Sequence, residues 1–486
     1  MFARFAVTLL VSLTPTVATA KAVPIVPDGY FKDWKKAGKP RVDPAGDAAD
    51  GRVDLGRLWI ANDDEALYLR FEVGRETLLQ ERGSRGSQLR LYVDADRKGG
   101  TGLPVEGIGA EIEIRFGERR HFVYAKDGTA TEVSPGEGTA MAFPTHSARM
   151  FEVRVQLPPQ NNPKKRRRVR VVLRDEAEGG DRQPDAGAAN YRFPKKQRVG
   201  PVEAISLERG DPDAVRLATI NVSRSTLIQR PELYRRLLQA IDPDVLAFQE
   251  LIGWTEAQIA DYLDDALPLP AGGSWSVELV EDVAVGSRFP ILADAAIDEN
   301  LVAHVDLPDE LTPHDLVLFD AHPPCCNNEA GRDREVDRLI GTWRDLLAGA
   351  GPFSIDPTDA VVFAGDFNFV GYRRQIDAIV HGTFIDPANG PDFAPGRDSG
   401  SLVVTPARHT HRRSAYTWRN ARSGFTPGRL DFIFFAGDVA RLDKSFVVDT
   451  SAMPADELTR YGLEAGDSLL ASDHLPVVAD LVFSRP

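Results

Sequence analysis

The sequence predicts a chain of mixed α+β and α/β class, in which an antiparallel β-sandwich domain precedes a domain of alternating strands and helices. The chain has 486 residues, which is more than one ordinary hydrophobic core organises. Its composition, 42% hydrophobic and 27% charged, is typical of a globular protein. Near Ala214 the apolar residues change from a period of two to interleaved strand and helix periods. These observations predict two domains.

The first twenty residues are predicted to be a secretory signal peptide. Arg4 is their only charge, an apolar run extends from Phe5 to Leu13, and small residues precede Lys21. The run is too short to span a bilayer comfortably, and the sequence offers no other candidate for a transmembrane helix. We therefore expect cleavage after Ala20 and a secreted protein, periplasmic or extracellular, with an uncleaved anchor as the alternative.

Residues 21–195 are predicted to form the antiparallel β-sandwich. Their apolar residues alternate over short runs, and Gly, Asp and Asn turns separate the runs. The pattern fades after residue 179, and residues 196–210 are predicted to be a linker. The runs are Leu55–Ala61, Ala66–Val73, Gln88–Val93, Ala110–Phe116, Phe151–Leu157 and Val169–Leu173.

Residues 211–486 are predicted to form the second domain, because strands and helices alternate along them. A strand over Val215–Asn221 leads to a helix that opens at Pro231 and carries apolar residues at helical spacing. A second helix follows Thr255, and a third covers Arg334–Leu347. The other predicted strands are Val245–Phe248, Leu316–Ala321, Ala360–Ala364, Leu430–Phe435 and Val477–Phe483.

Charge divides unevenly between the two predicted domains. The chain has 72 acidic and 58 basic side chains, a formal net charge of −14. Residues 201–486 hold 45 of the acidic and 24 of the basic side chains, a net charge of −21. This acidic half gives no electrostatic footprint for unselective binding of polyanions. The stretch from His409 to Arg429 is basic and aromatic instead, and is either a receptor for an anionic substrate or a solvated loop.

Polar side chains that can hold a metal or move a proton recur where buried strands of the second domain end. A strand end holds a side chain rigidly while it faces a cleft. One such aspartate alone is more often a turn former or a helix cap, but six strand ends in succession carry such residues. They are Asn221, Gln249 with Glu250, His322, Asp366 with Asn368, Asp431, and Asp473 with His474.

The same residues lie in longer motifs, among them the strings GDFN and SDHLP with an upstream PDVLAFQE. Through these motifs the C-terminal half resembles the endonuclease/exonuclease/phosphatase superfamily. That superfamily includes pancreatic deoxyribonuclease, exonuclease III-type repair enzymes, bacterial sphingomyelinases and inositol polyphosphate 5-phosphatases. The matching stretches are Leu217–Asn221, Pro243–Glu250, Ser287–Pro290, Asp320–His322, Ala364–Asn368, Tyr416–Trp418, Arg429–Asp431 and Ser472–Pro476.

The resemblance implies a four-layer α/β/β/α sandwich whose active site lies between the edges of its two sheets. It also implies a divalent cation, usually Mg²⁺, held by Glu250 with Asn221 and Asp473 nearby. Hard oxygen ligands without cysteine agree with Mg²⁺, Mn²⁺ or Ca²⁺ rather than with zinc.

The resemblance further implies a role for each polar residue. His474, oriented by Asp431, would accept a proton and would titrate near neutral pH. Asp366 and Asn368 would position the attacking water and the phosphoryl oxygens. His322 would donate a hydrogen bond or a proton on the other side of the phosphate. The nuclease branch pairs this histidine with a carboxylate, which the sequence does not identify here.

Two further features of the second domain keep alternatives open. Arg288 is interpreted as a contact to the substrate phosphate, with a surface strand terminus as the alternative. Cys325 and Cys326 are the only cysteines and are adjacent. They would form a strained vicinal disulfide in an oxidising compartment, or else remain free thiols that pack as small hydrophobic groups.

The N-terminal half resembles family 9 carbohydrate-binding modules and their DOMON-like relatives. The matching stretches are Asp28–Trp34, Asp54–Leu69 and Leu91–Asp96 with Thr101 and Gly102. In this comparison Asp94 and Asp96, joined by Glu111, are candidate ligands for a structural Ca²⁺. Trp34 and Trp59 are either platforms for a glycan or members of the core.

Together these patterns predict a secreted, divalent-metal-dependent phosphoesterase that hydrolyses phosphodiester bonds in a nuclease-like manner. Its partners would be a phosphate-ester substrate, either nucleic acid or a small phosphodiester, and a glycan bound by the N-terminal domain. One alternative is a phosphomonoesterase or phospholipase of the sphingomyelinase or inositol-phosphatase type. The other is a non-catalytic surface protein that binds glycans. The oligomeric state is not predictable from the sequence.

Overall fold

The computed structural model describes residues 22–82, 87–159, 166–194, 199–224, 226–396 and 400–484. The signal peptide predicted for residues 1–20 lies outside these residues. Within the described ranges, no helix combines the length and the apolar character needed to cross a membrane.

The N-terminal part is built from strands alone, apart from short 3₁₀ turns at Asp33–Lys36 and Pro135–Glu137. One sheet has the order β1-β2-β3-β11-β10, and a second has the order β13-β12-β4-β7-β8-β9 with β14 beside β12. The strands are β1 Arg41–Val42, β2 Arg57–Asn62, β3 Ala66–Thr77, β4 Leu89–Asp94, β5 Leu103–Val105, β6 Ile108–Ala110, β7 Ile112–Arg115, β8 Arg120–Tyr124, β9 Ala130–Val133, β10 Ala140–Phe143, β11 Ala148–Gln156, β12 Arg168–Asp175, β13 Arg182–Gln183 and β14 Ala189–Arg192.

The two N-terminal sheets share one hydrophobic core, because alternate residues of each strand point inward. Phe71 of β3 packs against Phe151 of β11 at 6.1 Å between ring centroids and against Phe116 at 6.3 Å. Leu91 of β4 and Val171 of β12 belong to the same cluster from the other sheet. The predicted antiparallel β-sandwich is therefore confirmed.

The C-terminal part contains two further sheets with helices between their strands. Their orders are β17-β18-β16-β15-β27-β26-β24 and β19-β20-β21-β22-β25-β23. The elements are β15 Val215–Asn221, α1 Thr226–Gln229, α2 Pro231–Ile241, β16 Val245–Gln249, α3 Glu256–Ala266, β17 Ser276–Val280, β18 Val283–Ser287, β19 Ile291–Ile297, β20 Asn300–Val305, β21 Leu316–Ala321, α4 Glu329–Leu347, β22 Ala360–Asp366, α5 Arg374–His381, β23 Leu402–Val404, β24 Arg408–His409, β25 Asp431–Ala436, β26 Ala440–Val447, α6 Ala455–Tyr461, α7 Asp467–Ala471 and β27 Val477–Phe483, with 3₁₀ turns at Pro270–Gly272, Pro387–Asn389 and Thr450–Ala452.

These two sheets are the inner layers of a four-layer α/β/β/α sandwich. Along β16, Val245 and Ala247 face the core between the sheets, whereas Leu246 and Phe248 face the core beneath α2 and α3. This alternation follows from the period of two along a strand. Helices α4 and α5 cover the outer face of the second sheet. The fold that the resemblance implied is confirmed.

Local sequence explains why the helices begin where they do. Pro231 occupies the first turn of α2, where its missing N–H costs no hydrogen bond. Thr255 caps α3, since its hydroxyl accepts from the backbone of Gln258 while the Gln258 side chain accepts from Thr255 N–H. Asn328 caps α4 by accepting from Gly331 N–H. Helix α4 therefore begins five residues before the predicted start.

Candidate active site

Six of the singled-out residues lie at the same edge of the sandwich. Strands β15 and β16 are parallel neighbours, and so are β21 and β22. Because parallel strands end at the same edge of a sheet, Asn221 lies near Glu250 and His322 lies near Asp366. Strands β25 and β27 run in the opposite direction, so Asp431, the first residue of β25, and His474, three residues before β27, lie at this edge.

The amide of Asn221 joins the two sheets at this edge. Its Nδ2 donates to Glu250 Oε1 and to Asp366 Oδ2, both at 3.1 Å. Its Oδ1 accepts from Ser223 N–H at 2.9 Å. Asn221 is buried, so this single side chain separates two carboxylates inside the protein.

Backbone strain coincides with the site. Glu250 and Asn368 adopt φ values of +63° and +50°, a left-handed region that residues other than glycine rarely occupy. At Gly365 a Cβ would overlap the carbonyl oxygen of Ala321 and lie 2.9 Å from its carbon. The glycine therefore lets β21 and β22 approach closely beside Asp366.

Each of the two histidines is paired with its own carboxylate. His474 Nδ1 lies 3.0 Å from Asp431 Oδ2, and His322 Nδ1 lies 3.0 Å from Asp282 Oδ2. The Nε2 atoms of both rings face one further oxygen, Asp366 Oδ2, at 3.6 Å from His474 and 3.8 Å from His322. Two oriented imidazoles therefore share one buried carboxylate.

The crowding of negative charge sets the protonation of both rings. Burial lowers the pKa of His474, but the charges of Asp431 and Asp366 outweigh it and raise the pKa to about 10. Burial also lowers the pKa of His322, but its hydrogen bond to Asp282 and the charge of Asp366 raise the pKa to about 9. The near-neutral titration expected for His474 stays a prediction for the site with its cation, because in the metal-free site Asp366 adds a second carboxylate.

Asp473 lies beside the site and is held by a neighbouring loop. Its Oδ2 accepts from Trp418 Nε1 at 3.1 Å and from Asn420 Nδ2 at 3.3 Å. Its charge contributes to the raised pKa of His474.

Asn368 is held from the other side, since its Nδ2 donates to the carbonyl of Pro323 at 3.0 Å.

The donor atoms at this edge fit a hard divalent cation. Ligand atoms of Asp366, Asp431 and His474 lie within 4.8 Å of one another, and Glu250 joins them through Asn221. Burial and the charge of Asp366 raise the pKa of Asp431, although His474 opposes both. Carboxylate and amide oxygens are the ligands that Mg²⁺, Mn²⁺ and Ca²⁺ prefer.

Three contributors to this geometry were not identified from the sequence. Asp282 belongs to the turn between β17 and β18, forty residues before His322, and no local pattern relates the two. Asn420 follows the motif residue Trp418 but has no motif of its own. Asp320 lies beneath the site and accepts from Gln249 Nε2 at 2.7 Å; burial raises its pKa well above the usual range.

The predicted phosphate contact at Arg288 is wrong in this structure. Antiparallel pairing sets Ser287 opposite Val245, at the start of β16, whereas Glu250 follows the other end of that strand. The guanidinium of Arg288 is paired with the carboxylate of Asp242. Arg288 therefore terminates a strand on the far side of the sheet, which was the stated alternative.

The vicinal cysteines follow β21 and its His322. Cys325 and Cys326 are free thiols, and both are exposed. Neither the disulfide nor the packed alternative describes them in this structure. Partial desolvation of its sulfur and the adjacent thiol of Cys326 raise the pKa of Cys325 to about 11, so it is a poor nucleophile at neutral pH.

The basic stretch from His409 to Arg429 is mostly internal structure rather than a solvated loop. His409 is buried, with Nε2 2.7 Å from the carbonyl of Tyr416. Arg412 pairs with Asp449 at 2.9 Å, and Arg429 donates to the carbonyl of Thr405 at 2.7 Å. These cations are engaged within the protein, which weakens their interpretation as a receptor for an anion.

The predicted calcium ligands of the N-terminal domain lie together. Ligand atoms of Asp94, Asp96 and Glu111 lie within 4.8 Å of one another. Arg170 already contacts this group, since its Nε donates to Asp94 Oδ2 at 2.6 Å. The calcium site stays a prediction, with a guanidinium competing for one of its carboxylates.

The predicted glycan platforms are not both available. Trp34 is buried and donates from Nε1 to Glu152 Oε2 at 2.6 Å. It therefore belongs to the core. Trp59 is half-buried, and the guanidinium of Arg70 lies 4.3 Å from its ring centroid.

The four-layer fold with an acidic, histidine-lined edge defines a hydrolase of the phosphoester class. The sequence model of the Endonuclease/Exonuclease/phosphatase family matches residues 218–474, more than half of the chain. The chain belongs to this family. None of the curated proteins matches it.

Three solved structures are similar to about half of this chain. Humanized D. rerio TDP2 with 14 mutations is 16% identical, with a TM-score of 0.34 over 55% of this chain and 99% of that one. A family protein from Leptotrichia buccalis C-1013-b is 17% identical, with a TM-score of 0.33 over 56% of this chain and 100% of that one. An AP endonuclease from Archaeoglobus fulgidus is 16% identical, with a TM-score of 0.34 over 56% and 99%.

Proposed function

We propose that this protein is a secreted phosphoesterase that depends on a divalent cation, most suitably Mg²⁺, and hydrolyses phosphodiester bonds in nucleic acid or a small phosphodiester. The observation that carries the proposal is the convergence of two carboxylate-bound imidazoles on Asp366 Oδ2, at 3.6 Å from His474 and 3.8 Å from His322. Hydrolysis of a phosphate ester needs a proton acceptor and a proton donor on either side of phosphorus.

His474 is the proposed proton acceptor. Asp431 holds Nδ1 and leaves Nε2 facing the site. Glu250, Asn221 and Asp473 would hold the cation, whose charge would stabilise the negative charge that develops on the phosphate oxygens. A cation there would lower the pKa of His474, whose Nε2 could then accept the proton of the attacking water.

His322 is the proposed proton or hydrogen-bond donor. Its pKa of about 9 keeps the ring protonated at neutral pH, and Asp282 holds it from behind. Asp366 and Asn368 would orient the attacking water and the phosphoryl oxygens, because Asp366 faces both rings and Asn368 N–H donates to Asp366 Oδ1.

The test is a hydrolysis screen with and without Mg²⁺, Mn²⁺ or Ca²⁺. Its substrates are plasmid DNA, RNA, bis-p-nitrophenyl phosphate, p-nitrophenyl phosphate and sphingomyelin. We expect cation-dependent cleavage of a diester that is lost in Glu250→Gln and kept in the control Arg288→Gln, which lies at the far end of β16. Cleavage of the monoester or of sphingomyelin alone would favour the phosphomonoesterase or phospholipase alternative.

Secretion is tested separately, because only residues 1–20 support it. We expect the mature protein to begin at Lys21 and to be recovered outside the cytoplasm. An intact N-terminus on cytoplasmic protein would refute this part of the proposal. The glycan ligand stays a prediction; glycan binding without cation-dependent turnover would favour the non-catalytic alternative.

A further inference from the structure

The loop Trp418–Arg429, called the clamp loop here, holds Asp473 from two directions. Trp418 Nε1 and Asn420 Nδ2 donate to the carboxylate at 3.1 and 3.3 Å. Arg419 N–H donates to the carbonyl of Asp473 at 2.8 Å. Both the side chain and the main chain of this candidate ligand therefore depend on where the loop lies.

The N-terminal domain forms hydrogen bonds with the outer side of the clamp loop. The carbonyl of Ser423 accepts from Gly136 N–H at 3.2 Å and from Ser134 Oγ at 3.0 Å. Gln80 Oε1 accepts from both the N–H and the hydroxyl of Thr426, at 3.1 and 3.2 Å. These bonds join positions more than 280 residues apart in sequence.

Further contacts between the N-terminal domain and the clamp loop lie along the length of the loop. Arg419 donates to the carbonyl of Gly136 at 3.3 Å, and the guanidinium of Arg119 lies 3.7 Å from the ring centroid of Phe425. Arg429 N–H donates to Thr145 Oγ1 at 2.9 Å. The N-terminal domain thus contacts the loop near both ends and in its middle.

An apolar contact fixes the two domains against each other as well. Met141 and Phe143 of β10 are buried in the same hydrophobic cluster as the sheets of the C-terminal domain. Ser147 N–H also donates to the carbonyl of Gly371 at 2.9 Å. The N-terminal domain therefore packs on the catalytic domain as a fixed body, which a loosely tethered module would not do.

Gly136 lies directly against the clamp loop. A Cβ at Gly136 would overlap the carbonyl oxygen of Asn420 and lie 3.2 Å from that of Ser423. Gly136 lies in the 3₁₀ turn Pro135–Glu137, a conformation that alanine adopts without strain. The glycine is therefore required by the neighbouring loop rather than by its own backbone.

We propose that the N-terminal domain positions part of the active site. Its contacts hold the clamp loop in place, and the loop in turn orients the Asp473 carboxylate. The N-terminal domain therefore sets the affinity of the site for the divalent cation. Gly136 and Gln80 are the positioning residues, and neither faces the reacting atoms. This inference rests on the proposed function insofar as Asp473 is taken as a cation ligand.

The first test is Gly136→Ala in the full chain, with Gly38→Ala as the matched control. A Cβ at the exposed Gly38 meets nothing within 4 Å. Calorimetric titration with Mn²⁺ should show an affinity about tenfold weaker for Gly136→Ala, with kcat/KM for bis-p-nitrophenyl phosphate reduced at least as much. The control Gly38→Ala should keep the wild-type Mn²⁺ affinity and kcat/KM. Wild-type Mn²⁺ affinity in Gly136→Ala would overturn the proposal.

A second pair of variants serves if Gly136→Ala does not fold. Gln80→Leu removes the acceptor for Thr426, whereas Gln80→Glu keeps it. We expect weaker Mn²⁺ binding in Gln80→Leu and wild-type binding in Gln80→Glu; equal affinities in the two variants would contradict the inference. A wild type that binds Mn²⁺ yet cleaves no ester would refute the proposed function alone, because the titration still measures the effect on the site.

Discussion

Asn221 donates a hydrogen bond to Asp366 at 3.1 Å across 145 residues of sequence. The bond joins the end of β15 in one sheet to the end of β22 in the other. The acidic site therefore exists only when the two sheets close on each other, and the amide stands between carboxylates that would otherwise repel each other.

Asn221→Ala should weaken both the fold and the site. Removing the amide leaves buried carboxylates without their donor, at a cost of about 1–3 kcal/mol in the free energy of unfolding of the metal-free protein. Urea denaturation in EDTA and in Mg²⁺ measures this cost, which should grow in Mg²⁺ because the variant lacks a proposed cation ligand and gains less stability from the cation. The exposed Asn190→Ala is the control. Equal stability of Asn221→Ala and wild type in EDTA would contradict the account.

His474→Ala should abolish most cation-dependent hydrolysis, because it removes the proposed proton acceptor. We expect kcat to fall by about 10²–10⁴-fold. Asp431→Asn should also lower kcat, since an amide no longer favours the ring form with the proton on Nδ1. Steady-state kinetics on the substrate found in the screen measures both. Because the two residues act as one unit, the double variant should lose little more than His474→Ala. Turnover unchanged in His474→Ala would refute its role.

Asp282→Asn should lower the pKa of His322 from about 9. The carboxylate of Asp282 favours the charged ring, and an amide in its place does not. A titration of the histidine ring protons by NMR in metal-free protein measures the shift. Asp127→Asn, an exposed position in the N-terminal sandwich, should leave the curve unchanged. A His322 titration that does not move in Asp282→Asn would show that this pair does not control the ring.

His304 should make stability fall as the pH rises above neutrality. Its Nε2 lies 3.1 Å from Asp315 Oδ2 and 3.3 Å from Asp359 Oδ2. The hydrogen bond to Asp359, opposed by burial, raises its pKa above 6.5. Its stabilising contribution is therefore complete below pH 6.5 and is lost as the pH rises through the folded pKa. The pKa of Asp315 is also raised, by burial, but a carboxyl group titrates below this window.

The measurement is the melting temperature of wild type and His304→Gln between about pH 6 and pH 9. The variant should melt well below wild type at the acid end of this range, and the gap should narrow toward the alkaline end. His381→Gln is the control, because His381 is exposed and its Nδ1 lies 3.1 Å from the Ser401 hydroxyl. A gap that stays constant with pH would contradict the assignment.

Much of the architecture was readable from local sequence. Apolar periods predicted the strands Val215–Asn221, Leu316–Ala321 and Val477–Phe483, and the structure has them with the same bounds. The four strands β17 to β20 were not predicted. The first of these, Ser276–Val280, is only half-buried along its length, so its apolar pattern is weak.

The sequence by itself determined which elements form and which polar residues stand at their ends, because helix and strand periods, caps and short motifs are local properties. Only the tertiary structure decided which of those ends meet. In the folded protein Asp282 contacts His322, Arg288 lies at the end of its strand away from Glu250, and Gly136 lies against the clamp loop. Such contacts depend on how two sheets and two domains close on each other, and no stretch of neighbouring residues encodes that closure.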